Sequence, residues 1–175
     1  MAELDGYLQQ LRDSIDSVGW AIAHILPVPG DDSPVFAYTI GLTACGSPEL
    51  LTSGLRPPTA QSLLNHLARQ MHDNAVRYTH RQRLDDLPGE YTPIIIDGAA
   101  TTQLRPVLAF ARYGEHRVRL QQLVWPDPQH HYPWDADYDH RYDQPLIHQP
   151  EDPAATGHTG EVGGQPSAGE SSDES

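Results

Sequence analysis

The residues with the most chemistry to offer lie in one stretch, Trp125 to His148, which holds Asp127, His130, His131, Asp135, Asp137, Asp139, His140, Asp143 and His148. Side chains of these types bind a divalent metal when several of them converge and their outer partners are satisfied. Their spacing here matches no zinc pattern. Asp135, Asp137 and Asp139 open like a calcium loop, but His140 stands where that loop needs glycine and Leu146 where it needs a bidentate glutamate. The stretch is therefore expected to hold no stoichiometric zinc, iron or calcium, and to be a solvated segment anchored by Trp125, Tyr132 and Trp134. Asp127, in Trp-Pro-Asp, is expected to cap a turn by accepting hydrogen bonds from backbone N–H groups.

Nucleophilic chemistry has thinner support. Cys45 is the only cysteine, and a histidine such as His24 would have to approach it before the thiol could be activated. A lone cysteine more often packs as a small hydrophobe. Ser47 and Ser53 lack the Gly-x-Ser-x-Gly frame of a hydrolase elbow. All 11 basic residues are arginines, which excludes a lysine Schiff base and a phosphate-loop lysine. Glu49, after Pro48, reads as a loop-edge charge paired with an arginine, or as a partly buried carboxylate facing a ligand. Five residues, Tyr38, Glu49, Trp125, Asp127 and Trp134, are the ligand-binding candidates. No catalytic residue and no cofactor is assigned.

These residues need elements to position them. Leu4, Leu8, Leu11, Ile15 and Val18 recur at helical spacing, and Gly19 follows where a left-handed cap is usual. Trp20–Leu26, Val35–Leu42, Glu49–Leu55, Tyr91–Asp97 and Val118–Trp125 read as strands. Tyr38 and Thr39 then fall on opposite faces. Pro57, Pro58 and Thr59 announce a second helix with Leu63, Leu64, Leu67 and Met71 inward. Thr101 is expected to cap a third helix carrying Leu104, Leu108 and Ala111. Val76–Arg81 reads as an edge strand or extended loop. The pattern predicts an α+β domain over residues 1–148, a mostly antiparallel sheet of about five strands with about three helices. Trp20, Trp125 and Trp134 are expected to anchor one core, with Trp20 and Ile22 turned toward the first helix.

The net charge of −13 is spread unevenly. Residues 149–175 carry six acids, no arginine and no aromatic residue, so they are expected to form a disordered acidic tail. The remainder is still acidic and repels phosphate backbones, which argues against broad nucleic-acid binding. No stretch approaches the roughly 18 apolar residues of a membrane span, and the first residues lack the basic and apolar regions of a signal peptide. With one cysteine, a reducing, cytoplasmic setting is expected.

Several pieces occur together in a telling order: Gly19-Trp20, Tyr38-Thr39-Ile40-Gly41-Leu42, Pro48-Glu49-Leu50, Gly54-Leu55, Leu64-Asn65, Gln122-Leu123-Val124-Trp125-Pro126-Asp127, Pro133-Trp134 and Gln144-Pro145. In this the chain resembles the bacterial domain-of-unknown-function family number 4262, over roughly Val18 to Leu146. The resemblance brings no activity, cofactor or catalytic residue with it. Family members often carry His before Pro-Glu-Leu, where this chain has Ser47. Two function classes stay open. One is a non-catalytic accessory or interaction domain acting through its surface and tail, favoured by the lack of a catalytic motif. The other is a small-molecule-binding domain or enzyme with a pocket between the sheet and the Trp125–Tyr142 segment. A protein partner and a small molecule are both compatible with the sequence, and it sets no oligomeric state.

Overall fold

The leucine stripe at the start of the chain folds into helix α1, Ala2–Val18, closed by Gly19 at φ 96°. This is the left-handed cap that its position implied. The buried stripe is narrower than the leucine spacing suggested. Tyr7, Leu8, Leu11 and Ile15 pack inward, whereas Leu4 and Val18 are exposed. The computed structural model describes residues 1–150 except Val28 and Pro88. The expected acidic tail therefore lies, from residue 151, outside the described residues.

Five strands fall on the segments predicted for them, each shorter than its segment and β4 ending one residue beyond it: β1 Ala21–Ile25, β2 Phe36–Ile40, β3 Glu49–Ser53, β4 Ile94–Gly98 and β5 Leu120–Val124. They form one sheet in the order β1-β2-β3-β5-β4. Every neighbouring pair is antiparallel except β3 and β5, which run parallel. Between β3 and β4 comes helix α2, Pro57–Asp73, with proline in its first turn; helix α3, Val107–Tyr113, lies between β4 and β5. The fold is α+β, as the sequence pattern implied.

Alternation along the strands divides the core into two layers. Phe36, Tyr38, Ile40, Leu51, Ile96 and Val124 face α1, α3 and the C-terminal segment. Ala37, Leu50, Ile95 and Leu123 face α2 through Ala60, Leu64, Leu67 and Met71. Trp20 and Ile22 do share a face, but they join the α2 layer rather than the α1 layer. Asn65 on α2 accepts the Trp20 indole N–H at 3.0 Å, which supplies the polar partner that a buried indole needs. The three tryptophans thus serve two layers, with Trp20 and Trp125 on one and Trp134 on the other.

One segment departs from its expected form, and Val76–Arg81 takes the loop form of the two expected for it. Thr101 caps only a turn, its Oγ1 accepting the Leu104 N–H at 3.0 Å, and α3 starts after Pro106. Proline cannot continue a helix through that point, because its N–H is missing and its ring clashes. Val76–Arg81 is an irregular run that leads to the outer edge of β4. There Arg81 N–H donates to Ile95 O at 2.7 Å and Ile95 N–H donates to Gln82 O at 2.9 Å, covering what would be a bare edge. Among the described residues no helix is long and apolar enough to cross a membrane.

Candidate functional site

Glu49 opens β3 with its carboxylate wholly buried, and no arginine among the described residues pairs with it. Its Oε2 accepts from Thr39 Oγ1 at 2.6 Å, and its Oε1 accepts from Gly41 N–H, Thr43 N–H and Thr43 Oγ1 at 3.0, 2.9 and 2.8 Å. The carboxylate therefore ties the turn Leu42–Cys45 to the sheet. Burial raises its pKa, and the hydrogen bonds from Thr39, Thr43 and Gly41 offset only part of that.

Asp127 is also wholly buried and takes the turn-capping role. Its Oδ1 accepts from Gln129 N–H and His131 N–H, and its Oδ2 from Asp139 N–H, all at 2.9 Å. Burial pushes its pKa up. The three backbone donors and the neighbouring His131 outweigh that and hold the carboxyl below its ordinary range. Both acids thus have their acceptor capacity committed to the chain's own groups, Asp127 to backbone N–H and Glu49 to backbone N–H and threonine hydroxyls.

The aromatic candidates are held apart. Tyr38 sits in the α1–α3 layer, where its hydroxyl accepts from Leu108 N–H at 3.2 Å and burial pushes its pKa up to about 12. Trp125 packs on the opposite layer and donates its indole N–H to Thr52 Oγ1 at 3.1 Å. Trp134 lies parallel to Tyr132 with ring centroids 5.5 Å apart, and the Arg81 guanidinium sits 3.7 Å from its centroid. That cation–π contact draws the Trp125–Tyr142 segment onto the edge of β4. Tyr38, Glu49 and Trp125 do not converge on one pocket.

The other chemical candidates also find local partners. Cys45 is exposed, and its thiol donates to Leu42 O at 3.0 Å. His24 is engaged elsewhere, with Gln61 at 2.7 Å, while His72 shares a shallow cleft with Cys45 and Arg112. His130 packs on Tyr91, and His140 pairs with Asp143 at 3.0 Å. Among the described residues no three His, Cys, Asp or Glu side chains converge as metal ligands would.

The principal cleft lies at the end of the sheet where β4 finishes and β5 begins, with a volume of about 620 Å³. It is at the opposite end of β5 from Trp125 and Asp127. Asp97 and Gln121, paired across β4 and β5, form its polar wall. The Gln121 Nε2 donates to Asp97 Oδ1 at 2.7 Å and to Tyr78 O at 2.9 Å. This orientation leaves Gln121 Oε1 buried and without a donor among the described residues. Phe110, Val118 and Leu120 give the cleft an apolar side, and Arg77 and Arg119 stand at it unpaired with any carboxylate among the described residues.

The family described as "Domain of unknown function (DUF4262)" matches residues 14–139. The chain belongs to this family. No curated protein and no solved structure matches it. The DUF4262 match spans Glu49, Asp127 and every residue of the cleft. The family description names no activity, so chemistry must be argued from the side chains. Sequence reasoning missed Asp97 and Gln121. The available signal was Gln121-Gln122 inside an otherwise apolar strand, since a buried strand carries an amide only where that amide has polar company.

Proposed function

We propose that this DUF4262 chain is a binding domain for a small polar molecule, held in the cleft between Tyr78, Asp97, Phe110 and Gln121. One observation carries the reading. Gln121 is 3% exposed, and its Oε1 has no hydrogen-bond donor among the described residues. A buried acceptor left unpaired costs roughly 1–3 kcal/mol, which a bound donor would recover. The volume suits a metabolite-sized ligand, and a few polar groups on an apolar wall are the usual make-up of such sites. The cleft uses none of the five candidates read from the sequence, so the proposed pocket differs in place from the one expected beside Trp125–Tyr142.

The test is an NMR titration of the isotopically labelled full chain with fractionated cell metabolites. Amide shifts gathered at Tyr78, Asp97–Ala100 and Val118–Gln121 support the reading. The compound responsible would then be identified by mass spectrometry. Shifts scattered over the surface, or none in any fraction, overturn it and return the chain to the accessory-domain class. The acidic charge balance and single cysteine support a cytoplasmic protein that does not engage nucleic acid broadly.

A further inference from the structure

The cleft is asymmetric in charge, and the asymmetry narrows its ligand. On the polar wall Asp97 Oδ1 is already occupied by the Gln121 amide, which leaves Asp97 Oδ2 and the unpaired Gln121 Oε1 as the wall's remaining side-chain acceptors. Arg119 donates to Gly46 O at 2.6 Å and Arg77 to Met71 O at 3.2 Å. Both therefore keep a full positive charge and spare N–H groups. The fourth charged residue of the cleft, Glu115, is taken by Arg105 at 2.6 Å. Phe110, Val118 and Leu120 line the same cleft and supply its apolar surface.

Resting on the cleft reading above, we propose that the ligand is a small zwitterion of the apolar amino-acid class. Its ammonium meets Asp97 and Gln121, its carboxylate meets Arg77 or Arg119, and its side chain lies on Phe110, Val118 and Leu120. An ammonium has three donors and no acceptor, which suits a wall made of a carboxylate and a carbonyl oxygen. A carboxylate suits a guanidinium fork. Overall charge points the same way. A chain of net charge −13 repels a mononucleotide or another multiply charged anion, whereas a zwitterion has no net charge to repel.

The test uses L-leucine, L-methionine and L-phenylalanine, together with the amide and the N-acetyl derivative of each, titrated into the labelled full chain. The amide keeps only the positive end, and the N-acetyl acid only the negative end. At least one free amino acid should shift the cleft resonances with Kd of about 1 mM or tighter. Loss of either charge should weaken it at least tenfold. Asp97→Asn should weaken the free amino acid and its amide but leave the N-acetyl acid unchanged. Arg119→Ala and Arg77→Ala should together do the reverse. If the three forms bind alike, or none binds while a metabolite fraction still shifts the cleft, this inference falls and the binding-domain reading stands. If neither amino acids nor fractions move the cleft, both fall, and Gln121 Oε1 is satisfied by an ordered water only.

Discussion

Gln121 and Asp97 face each other across the β4–β5 pair, and the Gln121 amide donates to the Asp97 carboxylate at 2.7 Å. The second Nε2 hydrogen goes to Tyr78 O at 2.9 Å. A flipped amide would set Oε1 against two acceptors, so the geometry fixes which way Gln121 points.

Gln121→Glu replaces the donating amide with a carboxylate facing Asp97 and the Tyr78 carbonyl. It should destabilise the fold at neutral pH by about 1–3 kcal/mol, the cost of buried polar groups set against one another. Acidification should recover part of the loss as one carboxyl protonates. Gln121→Leu removes the unpaired acceptor with the donor and should cost less than Gln121→Glu. Chemical denaturation of the three proteins at two pH values checks the order. A Gln121→Glu chain as stable as the parent would mean that the amide is not oriented as described.

The acids in the two capping sites should pull stability in opposite directions as pH changes. Glu49 has a raised pKa in the fold, so its contribution is complete below the unfolded glutamate value of about 4.3 and is lost as pH rises through the raised folded value. Asp127 and Asp139 have lowered values, Asp139 at about 2, so their contributions hold above the unfolded value and fade as pH falls. Melting curves across pH should show the Glu49 branch vanish in Glu49→Gln. That variant loses one acceptor toward Thr39 and should cost about 1–3 kcal/mol. Asp127→Asn should flatten the acid branch instead. A Glu49→Gln chain whose pH profile parallels the parent's would contradict the assignment.

The sequence showed the strands because each is a short apolar run between breakers, and all five are buried along most of their length. It could not show which layer Trp20 joins. Alternation puts Trp20 and Ile22 on one face, but only the sheet order decides that α2 covers it. Asp127 was legible because a turn-capping carboxylate acts on its own neighbours, at Gln129 and His131. Glu49 was not, since its partners Thr39 and Gly41 belong to the adjacent strand and its end. The cleft was hidden for the same reason: Tyr78, Asp97 and Gln121 are separated in the chain and meet only through strand pairing.

The tryptophans should separate by layer and depth. Trp20 is 4% exposed and hydrogen-bonded to Asn65, so Trp20→Ala should cost roughly 3–5 kcal/mol. Trp134 is half-buried and rests on Tyr132 and Arg81 at the surface. Its alanine variant should lose less stability, and Arg81→Ala should lose little more once Trp134 is gone. A double-mutant cycle on Arg81 and Trp134 reads that coupling, expected near 0.5–1 kcal/mol for an exposed cation–π pair. A Trp134→Ala cost equal to that of Trp20→Ala would mean the stack is a core element.

The C-terminal boundary of the fold should be sharp, because residues 145–148 supply the shortest hydrogen bonds to buried polar groups of the sheet. Gln122 is wholly buried. Its Oε1 accepts from Ile147 N–H at 2.8 Å, and its Nε2 donates to Pro145 O at 2.8 Å. His148 and Ala99 then exchange two backbone hydrogen bonds, at 2.8 and 2.9 Å. A chain ending at His148 keeps all of these and should melt within a few degrees of the full chain, since the acidic residues beyond it bring little apolar surface to bury. A chain ending at Gln144 leaves the buried Gln122 Oε1 without its Ile147 donor and its Nε2 with only the long 3.4 Å contact to Ser53 Oγ, at about 1–3 kcal/mol for an orphaned group, and also loses the buried Ile147 side chain. It should melt far lower or fail to fold. Gly98→Ala offers an independent check at full length: a Cβ there would lie 2.2 Å from His148 O and displace the same segment. Thermal melts of the three proteins decide the matter. A chain ending at Gln144 that melts with the full-length protein would remove this segment from the fold.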